Sequence, residues 1–185
     1  MIYNHKSAIK KYKTHAGIIK AVENGKLIKL ERNLYATSDD YTEFEYIVNK
    51  YPKVIFTMQS AFYYLGLCHE KPEKFHLATK RTAIRMKDKC VKQYYQFDKF
   101  FTVGVINMKV ENINIHLYNK ERMLIELIRS QGRIDDDLFT EIINNYKKSK
   151  DDLDYKKLIS YIKKFNGKNN LIYRINKELE LDLVI

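Results

Sequence analysis

Residues 14–36 read THAGIIKAVENGKLIKLERNLYA, a pattern with helical spacing that passes directly into a strand-like alternation. Thr14 is a suitable N-cap, because its hydroxyl can accept hydrogen bonds from the free amides of a first helical turn. Asn24 and Gly25 both tolerate the left-handed backbone conformation that ends helices. The pattern therefore predicts one helix between these two signals, followed by an extended segment.

The predicted helix has two distinct faces. At 100° per residue, four side chains fall on one side as a buried stripe, and four positions form a row on the opposite side. The stripe comprises His15, Ile18, Ile19 and Val22, and the outer row comprises Lys13, Gly17, Lys20 and Asn24. In a DNA major groove Lys can donate to guanine and Asn can pair with adenine. The outer row is thus a candidate reading surface, with an ordinary solvated helix face as the alternative.

The extended segment predicts a β-hairpin. Residues 26–30 alternate between polar and apolar side chains, and residues 34–36 can return as the partner strand. Asn33 suits a turn position with positive φ. Lys29 and Arg32 would then lie near the hairpin tip, where they could meet phosphates.

A short helix is predicted from Ser7 to Tyr12, so that two helices and a hairpin follow one another within residues 1–38. This order predicts a winged helix-turn-helix whose second helix enters the major groove. The predicted DNA-binding residues are Lys10, Lys11, Lys13, Thr14, Gly17, Lys20, Asn24, Lys26, Lys29, Arg32 and Asn33.

The net charge of +11 brings a polyanionic partner into consideration, and the charge is distributed unevenly. Residues 1–35 hold eight basic and two acidic side chains, residues 71–100 hold nine basic and three acidic ones, and residues 135–154 hold seven acids and three lysines. A chain can also be basic simply because its genome is rich in A and T. The second basic zone predicts a nucleic-acid or partner surface, with a solvated loop and strand face as the alternative. Its candidate residues are Lys80, Arg81, Arg85 and Lys87.

The remainder of the chain predicts a mixed domain over residues 39–185. Strand-like segments occur in the middle, at residues 75–79, 91–97, 102–107, 108–111 and 113–117. Helical spacing follows over residues 120–130, 137–147 and 154–165, whereas residues 171–185 fit either a short strand and helix or a frayed end. The predicted class is α+β: an N-terminal winged helix-turn-helix, then a mixed domain with a central β-sheet and a C-terminal helical cluster.

Three stretches in order resemble the AbiEi family, the antitoxin half of type IV toxin–antitoxin systems of the abortive-infection kind. Residues 25–35, GKLIKLERNLY, are similar to that family's wing, with Asn33 where the family usually has glycine. Residues 60–67, SAFYYLGL, followed by Pro72 and the strand to Thr79, are similar to its ser-ala, gly-leu, pro and strand sequence. Residues 120–127, KERMLIEL, resemble its glu-arg-thr-leu-hydrophobic-asp-leu helix. Together the resemblance covers about residues 14 to 165.

This resemblance implies an N-terminal domain that binds the promoter of its own operon and represses it, and a larger domain that protects the cell from a nucleotidyltransferase toxin encoded beside it. Type IV antitoxins are described as acting without a stable complex with the toxin. Since an operator with inverted half-sites requires two copies, dimerisation on double-stranded DNA is expected. The protein would serve in phage defence.

Sequence patterns typical of enzymes and metal sites are missing. Cys68 and Cys90 form no CxxC pair, and the five histidines show no metal-ligating spacing. Ser60 lacks the G-x-S-x-G context of a nucleophile and is expected to cap or pack a helix. We therefore predict no enzyme activity, no catalytic residue, no cofactor and no metal.

Other polar residues are expected to have structural roles. His76 and His116 should lie on polar strand faces. Residues 135–137, all Asp, should place negative charge at the start of a helix.

The two isolated cysteines and the absence of a leader pattern predict a cytoplasmic protein, and no apolar run approaches the roughly 18 residues that span a bilayer.

Two rival functions stay open. The first is a stand-alone winged-helix transcriptional regulator with a sensing or partner-binding domain, and the second is a small enzyme of unknown type.

Overall fold

The computed structural model describes residues 1–184 and shows an α+β protein that divides into two compact units, Met1–Lys53 (unit 1) and Val54–Ile185 (unit 2). The elements of unit 1 are β1 (Ile2–Asn4), α1 (His5–Tyr12), α2 (His15–Glu23), β2 (Ile28–Glu31), β3 (Leu34–Ala36) and α3 (Glu43–Lys50). Its three strands form an antiparallel sheet in the order β1-β3-β2.

Side chains next to the helices and the hairpin turn set the ends of these elements, as expected from the sequence. The Asn4 side chain accepts from the Ser7 amide, and the Thr14 hydroxyl accepts from the Gly17 amide, both at 3.0 Å. α2 ends just before Gly25, whose φ is +69°. Asn33 occupies the hairpin turn with φ +66°. The predicted N-cap, helix stop and positive-φ turn are all confirmed.

The buried stripe predicted for α2 is wrong at two positions. Ile18 is fully buried together with Ala21, but His15 is exposed and Ile19 is 47 % exposed. The physical reason is the approach of α1. A Cβ added at Gly17 would overlap the carbonyl oxygen of Tyr12, so this side of α2 must face the end of α1.

α3 packs against the sheet of unit 1. The Ile2 amide donates to Glu45 Oε1 at 2.8 Å, and Tyr46 packs against a buried cluster of Ile2, Leu34 and Ala36. The compact unit therefore ends at Lys53, after α3, although the sequence placed the domain boundary at residue 38.

Unit 2 is built on a mixed five-stranded sheet in the order β6-β5-β4-β8-β7. Its parallel pairs are β5 with β6 and β4 with β8, and its antiparallel pairs are β4 with β5 and β7 with β8. The elements are β4 (Ile55–Phe56), α4 (Met58–Tyr64), β5 (Phe75–Lys80), β6 (Val91–Gln96), α5 (Asp98–Phe101), β7 (Val105–Val110), β8 (Ile113–Tyr118), α6 (Lys120–Arg129), α7 (Asp136–Lys148), α8 (Tyr155–Ile162) and α9 (Lys168–Leu179).

The region from residue 98 to residue 118 differs from the prediction of two short strands before β8. A helical turn, α5, comes first, and a single strand, β7, covers half of the first predicted segment and most of the second. Glu111 and Asn112 then close a hairpin with φ values of +47° and +65°. Two adjacent positive-φ residues are typical of the tight turns that match strand twist, which explains why β7 and β8 pair along their full length.

The three predicted helices of the last third are confirmed as α6, α7 and α8, and α9 occupies the part of the tail that the sequence left open. Apolar side chains of all four helices enter one buried cluster together with Ile55, Ala78 and Tyr118 from the sheet. No helix within residues 1–184 is both long and apolar enough to cross a membrane.

The centre of unit 2 contains a buried ion pair. Arg122 is fully buried and donates to Glu126 Oε1 at 2.7 Å, one helical turn away on α6. The same guanidinium donates to the carbonyl oxygens of Phe100 and Val103 and lies over the ring of Phe165. These contacts satisfy a charge that would otherwise be costly to bury, so Arg122 and Glu126 have a structural role on α6.

Candidate nucleic-acid interface

One side of α2 is open to solvent. The exposed residues His15, Ala16, Ile19, Lys20 and Glu23 follow the spacing of a single helix face. Ile19 and Glu23 lie near the middle of this face and Lys20 lies at one edge, so the face offers an apolar side chain, a carboxylate and a cation. Such a combination can contact both phosphate oxygens and the methyl group of thymine.

The predicted row on α2 is only partly brought together. Lys20 and Asn24 are exposed, but Gly17 is directed at the Tyr12 carbonyl and offers no gap for a DNA backbone. Lys13 lies in the turn that ends α1, with φ +67°, rather than on α2. The row therefore reduces to Lys20 within the helix and Asn24 at its end, because the close contact with α1 rotates Gly17 inward.

The lysines of α1 differ in their surroundings. Lys10 is exposed, whereas Lys11 donates to the Tyr3 hydroxyl at 2.7 Å and its Nζ lies 4.8 Å from the centre of the Tyr3 ring. This hydrogen bond raises the pKa of Lys11 above its ordinary value. Lys11 therefore remains a cation, but one of its three donors is already used.

The hairpin carries exposed cations near its tip. Arg32 and Asn33 form the turn and Lys29 lies on β2, whereas Lys26 precedes β2; all four side chains are exposed. The neighbouring Glu31 forms an ion pair with Lys50 at 2.8 Å and accepts a hydrogen bond from Tyr46. Because Lys50 of α3 pairs with the Glu31 carboxylate, the hairpin tip presents mainly positive charge to an approaching polyanion.

A cleft of about 590 Å³ lies beside the hairpin tip, within unit 1. Its basic lining comprises His5, Lys6, Arg32, Lys50 and Lys53. His5 Nδ1 is buried and has no hydrogen-bond partner among residues 1–184, and the His5 ring lies 5.9 Å from that of His15. The cleft therefore adjoins the start of α2 within unit 1. Sequence analysis missed His5, Lys6 and Lys53, although the Asn4-x-x-Ser7 capping pattern could have placed the start of α1 at His5.

The second basic zone lies in unit 2, on the connection between β5 and β6. Arg81, Arg85 and Lys87 are exposed on this loop, whereas Lys80 forms an ion pair with Asp98 at 3.1 Å. This surface is separate in sequence and in unit from the α2 face.

Polar groups elsewhere in unit 2 are occupied by structural contacts. Ser60 is buried and its hydroxyl accepts from the His76 amide at 2.9 Å. Burial raises the pKa of the Cys68 thiol to about 11, so the thiolate is disfavoured. Asp135 caps α7 by accepting from the Asp137 and Leu138 amides, as expected for acids at a helix start. No group of three or more His, Cys, Asp and Glu residues within residues 1–184 has an arrangement that could hold a metal ion.

The two strand histidines differ from each other. His116 is exposed, as predicted, but His76 is buried, which contradicts its predicted place on a polar face. Its Nδ1 lies 3.1 Å from the Tyr94 hydroxyl. Burial, aided by the charge of Lys92, lowers the pKa of His76 to about 4. The side chain is therefore neutral at pH 7 and packs beside the Tyr94 ring.

No family model matches this chain, and no curated protein matches it either.

Proposed function

We propose that unit 1 is a winged helix-turn-helix that binds double-stranded DNA. The observation that carries this proposal is the open face of α2 beside a hairpin with a basic tip. α1 and α2 are joined by the two residues Lys13 and Thr14, and the β2–β3 hairpin follows directly. In helix-turn-helix proteins the second helix enters the major groove with its N-terminal residues at the base edges.

The proposed contacts divide by chemistry. His15, Ile19 and Lys20 face the base edges, with Ile19 placed for thymine methyl groups. Arg32 and the cations of the neighbouring cleft meet phosphates, which supplies affinity without sequence preference. The neutralised Glu31 supports this assignment, because an unpaired carboxylate at the hairpin tip would repel the DNA backbone.

We infer that the whole protein is an autoregulating antitoxin that counters a nucleotidyltransferase toxin in the cytoplasm. The support is the set of three sequence stretches that resemble the AbiEi family in the same order. The first of these stretches forms the hairpin, and the third lies on α6. A repressor that reads an inverted repeat would bind as two copies, since the protein symmetry has to match the operator.

A stand-alone regulator with a ligand-sensing domain is the second candidate, and a cavity in unit 2 favours it. This cavity has a volume of about 310 Å³, within the range of small-molecule sites. Its lining combines apolar side chains, such as Met58 and Phe62, with two cations and two carboxylates, which are Lys92, Arg133, Glu70 and Asp135. A small ligand with both apolar and polar groups would fit that chemistry.

Fluorescence anisotropy with duplex from the region upstream of the gene tests the DNA proposal. Lys20→Ala combined with Arg32→Ala is expected to weaken binding at least tenfold and to lower the slope of log affinity against log salt by about 1 to 2. Lys163→Ala combined with Lys164→Ala removes the same charge from exposed positions of unit 2 and serves as the control. Equal losses in both double variants, or no preference over random duplex, would contradict the proposal.

Co-expression separates the antitoxin from the stand-alone regulator. Growth arrest caused by an adjacent nucleotidyltransferase gene should be relieved by the wild-type chain and by the variant Lys20→Ala/Arg32→Ala, since protection is assigned to unit 2. A genomic neighbourhood without such a gene, together with a small molecule that alters operator affinity, would favour the regulator.

A further inference from the structure

Aromatic and aliphatic side chains are exposed next to the second basic zone. Ile84 is 90 % exposed on the β5–β6 loop, and Tyr95 and Phe97, at the end of β6, are 48 % and 53 % exposed. Large apolar side chains are costly to leave in water, and here three of them occur within a short stretch of one unit. Their exposure indicates a surface that contacts something other than solvent.

Hydrogen bonds hold this surface in place. Gln93 Oε1 accepts from the Met86 amide at 2.8 Å, and Gln93 Nε2 donates to the Ile84 carbonyl at 3.2 Å. The same Gln93 amide donates to Thr79 on β5, and the Tyr95 hydroxyl donates to Gln93 Oε1. The loop is therefore tied to one face of the sheet edge, and it presents its side chains in a defined arrangement.

Cations are interleaved with these apolar groups. The Arg81 guanidinium lies 4.7 Å from the centre of the Phe97 ring, and the Arg81 amide donates to the Gln96 carbonyl. Arg85 and Lys87 are exposed and form no ion pair within residues 1–184. We call the set of Arg81, Ile84, Arg85, Tyr95 and Phe97 the β6 platform.

We propose that the β6 platform binds a single-stranded nucleic acid. Unpaired bases stack on aromatic rings and on guanidinium planes, and cations beside the rings follow the phosphates. A duplex hides the faces of its bases, so it could use the cations but not Tyr95 or Phe97. The pairing of Arg81 with Phe97 thus favours a single strand over a duplex, and the excess of cations in the platform favours an anionic partner. This site is independent of the α2 face.

Fluorescence anisotropy with the full chain tests the platform. The probes are labelled oligouridylate and oligo-dT of about 12 nucleotides, within the site size of such surfaces, and a duplex hairpin of similar charge. Tyr95→Leu combined with Phe97→Leu keeps apolar volume but removes the stacking rings, and it is expected to weaken single-strand binding about tenfold or more. Arg81→Ala combined with Arg85→Ala is expected to weaken binding and to reduce its salt dependence.

Matched variants separate binding at the platform from a general attraction between a basic protein and a polyanion. Lys163→Ala with Lys164→Ala removes equal charge and should leave single-strand binding nearly unchanged. Tyr95→Leu with Phe97→Leu should leave binding of the duplex hairpin unchanged, because a duplex hides the faces of its bases. Binding of either oligonucleotide that depends on the rings supports the proposal, and the two probes then distinguish RNA from DNA. The proposal would be overturned if the protein bound neither oligonucleotide, or if the control variant lost as much single-strand affinity as the platform variants. It would also be overturned if Tyr95→Leu/Phe97→Leu left single-strand affinity unchanged, or if the rings proved to favour phosphatidylserine vesicles over the oligonucleotides. Circular dichroism of each variant verifies folding.

Discussion

At the scale of single residues, two small positions decide how α1 and α2 fit together. Gly17 has no side chain where the Tyr12 carbonyl approaches, and Ala21 is buried on the same side of α2. A larger residue at position 17 would meet backbone, which cannot rotate away as a side chain can. The residues that face DNA in our proposal are thus selected by a contact on the other side of the helix.

His76 gives a prediction about pH at the same scale. Its pKa in the folded protein is about 4, against an ordinary value of 6.5, so the unfolded chain binds more protons between these values. Its contribution to stability is therefore fully present above pH 6.5 and is lost as the pH falls towards 4. His76→Gln should reduce the pH dependence of the free energy of unfolding, to which His76 contributes on the order of 3 kcal/mol at most.

Urea unfolding at several pH values measures the effect. The wild-type chain should lose more stability than His76→Gln as the pH falls from the ordinary pKa of histidine towards that of the buried side chain. His116→Gln is the matched control, because it makes the same substitution at an exposed histidine of the same sheet. Parallel curves for wild type and His76→Gln would show that His76 is not the group responsible.

At the scale of elements, the rotation of α2 determines which surface is available for binding. Ile18 and Ile19 are neighbours in sequence with the same side chain, yet the first is fully buried and the second is 47 % exposed. The hairpin that follows depends on local chemistry instead, since Asn33 accepts the positive φ of its turn.

The pair Ile18 and Ile19 tests this rotation directly. Ile18→Ala should lower the free energy of unfolding by about 2 to 4 kcal/mol, because it opens a cavity in the core of unit 1. Ile19→Ala should change it by no more than about 0.5 kcal/mol and should instead weaken DNA binding. Chemical denaturation and anisotropy of the two variants provide the measurements. Similar destabilisation by both would mean that the predicted stripe, with Ile18 and Ile19 both inside, is correct.

At the scale of the whole molecule, each unit carries a basic surface and has buried apolar residues of its own. The first surface is the α2 face with the hairpin and cleft in unit 1, and the second is the β6 platform in unit 2. In our proposals the first contacts a duplex and the second a single strand, and the double variants of the two surfaces distinguish these contacts.

The extent of unit 1 gives a prediction at this scale. A fragment of residues 1–53 should show cooperative thermal unfolding, although a chain of this size has only marginal stability. A fragment of residues 1–38 should not, because it lacks α3 and leaves the cluster around Ile2 exposed. Circular dichroism and amide dispersion in NMR spectra compare the two fragments. Equal cooperativity would place the boundary at residue 38 after all.

Features that depend on neighbouring residues could be predicted from the amino-acid order: the Thr14 cap, the stop at Gly25, the Asn33 turn and the spacing of the helices in the last third. These follow from backbone preferences and from side chains within one or two turns. The rotation of α2, the burial of His76 and the ordered platform around Gln93 became apparent from the fold alone. Each of these features depends on contacts between groups in different helices and strands. A local sequence pattern does not predict how such elements pack against one another.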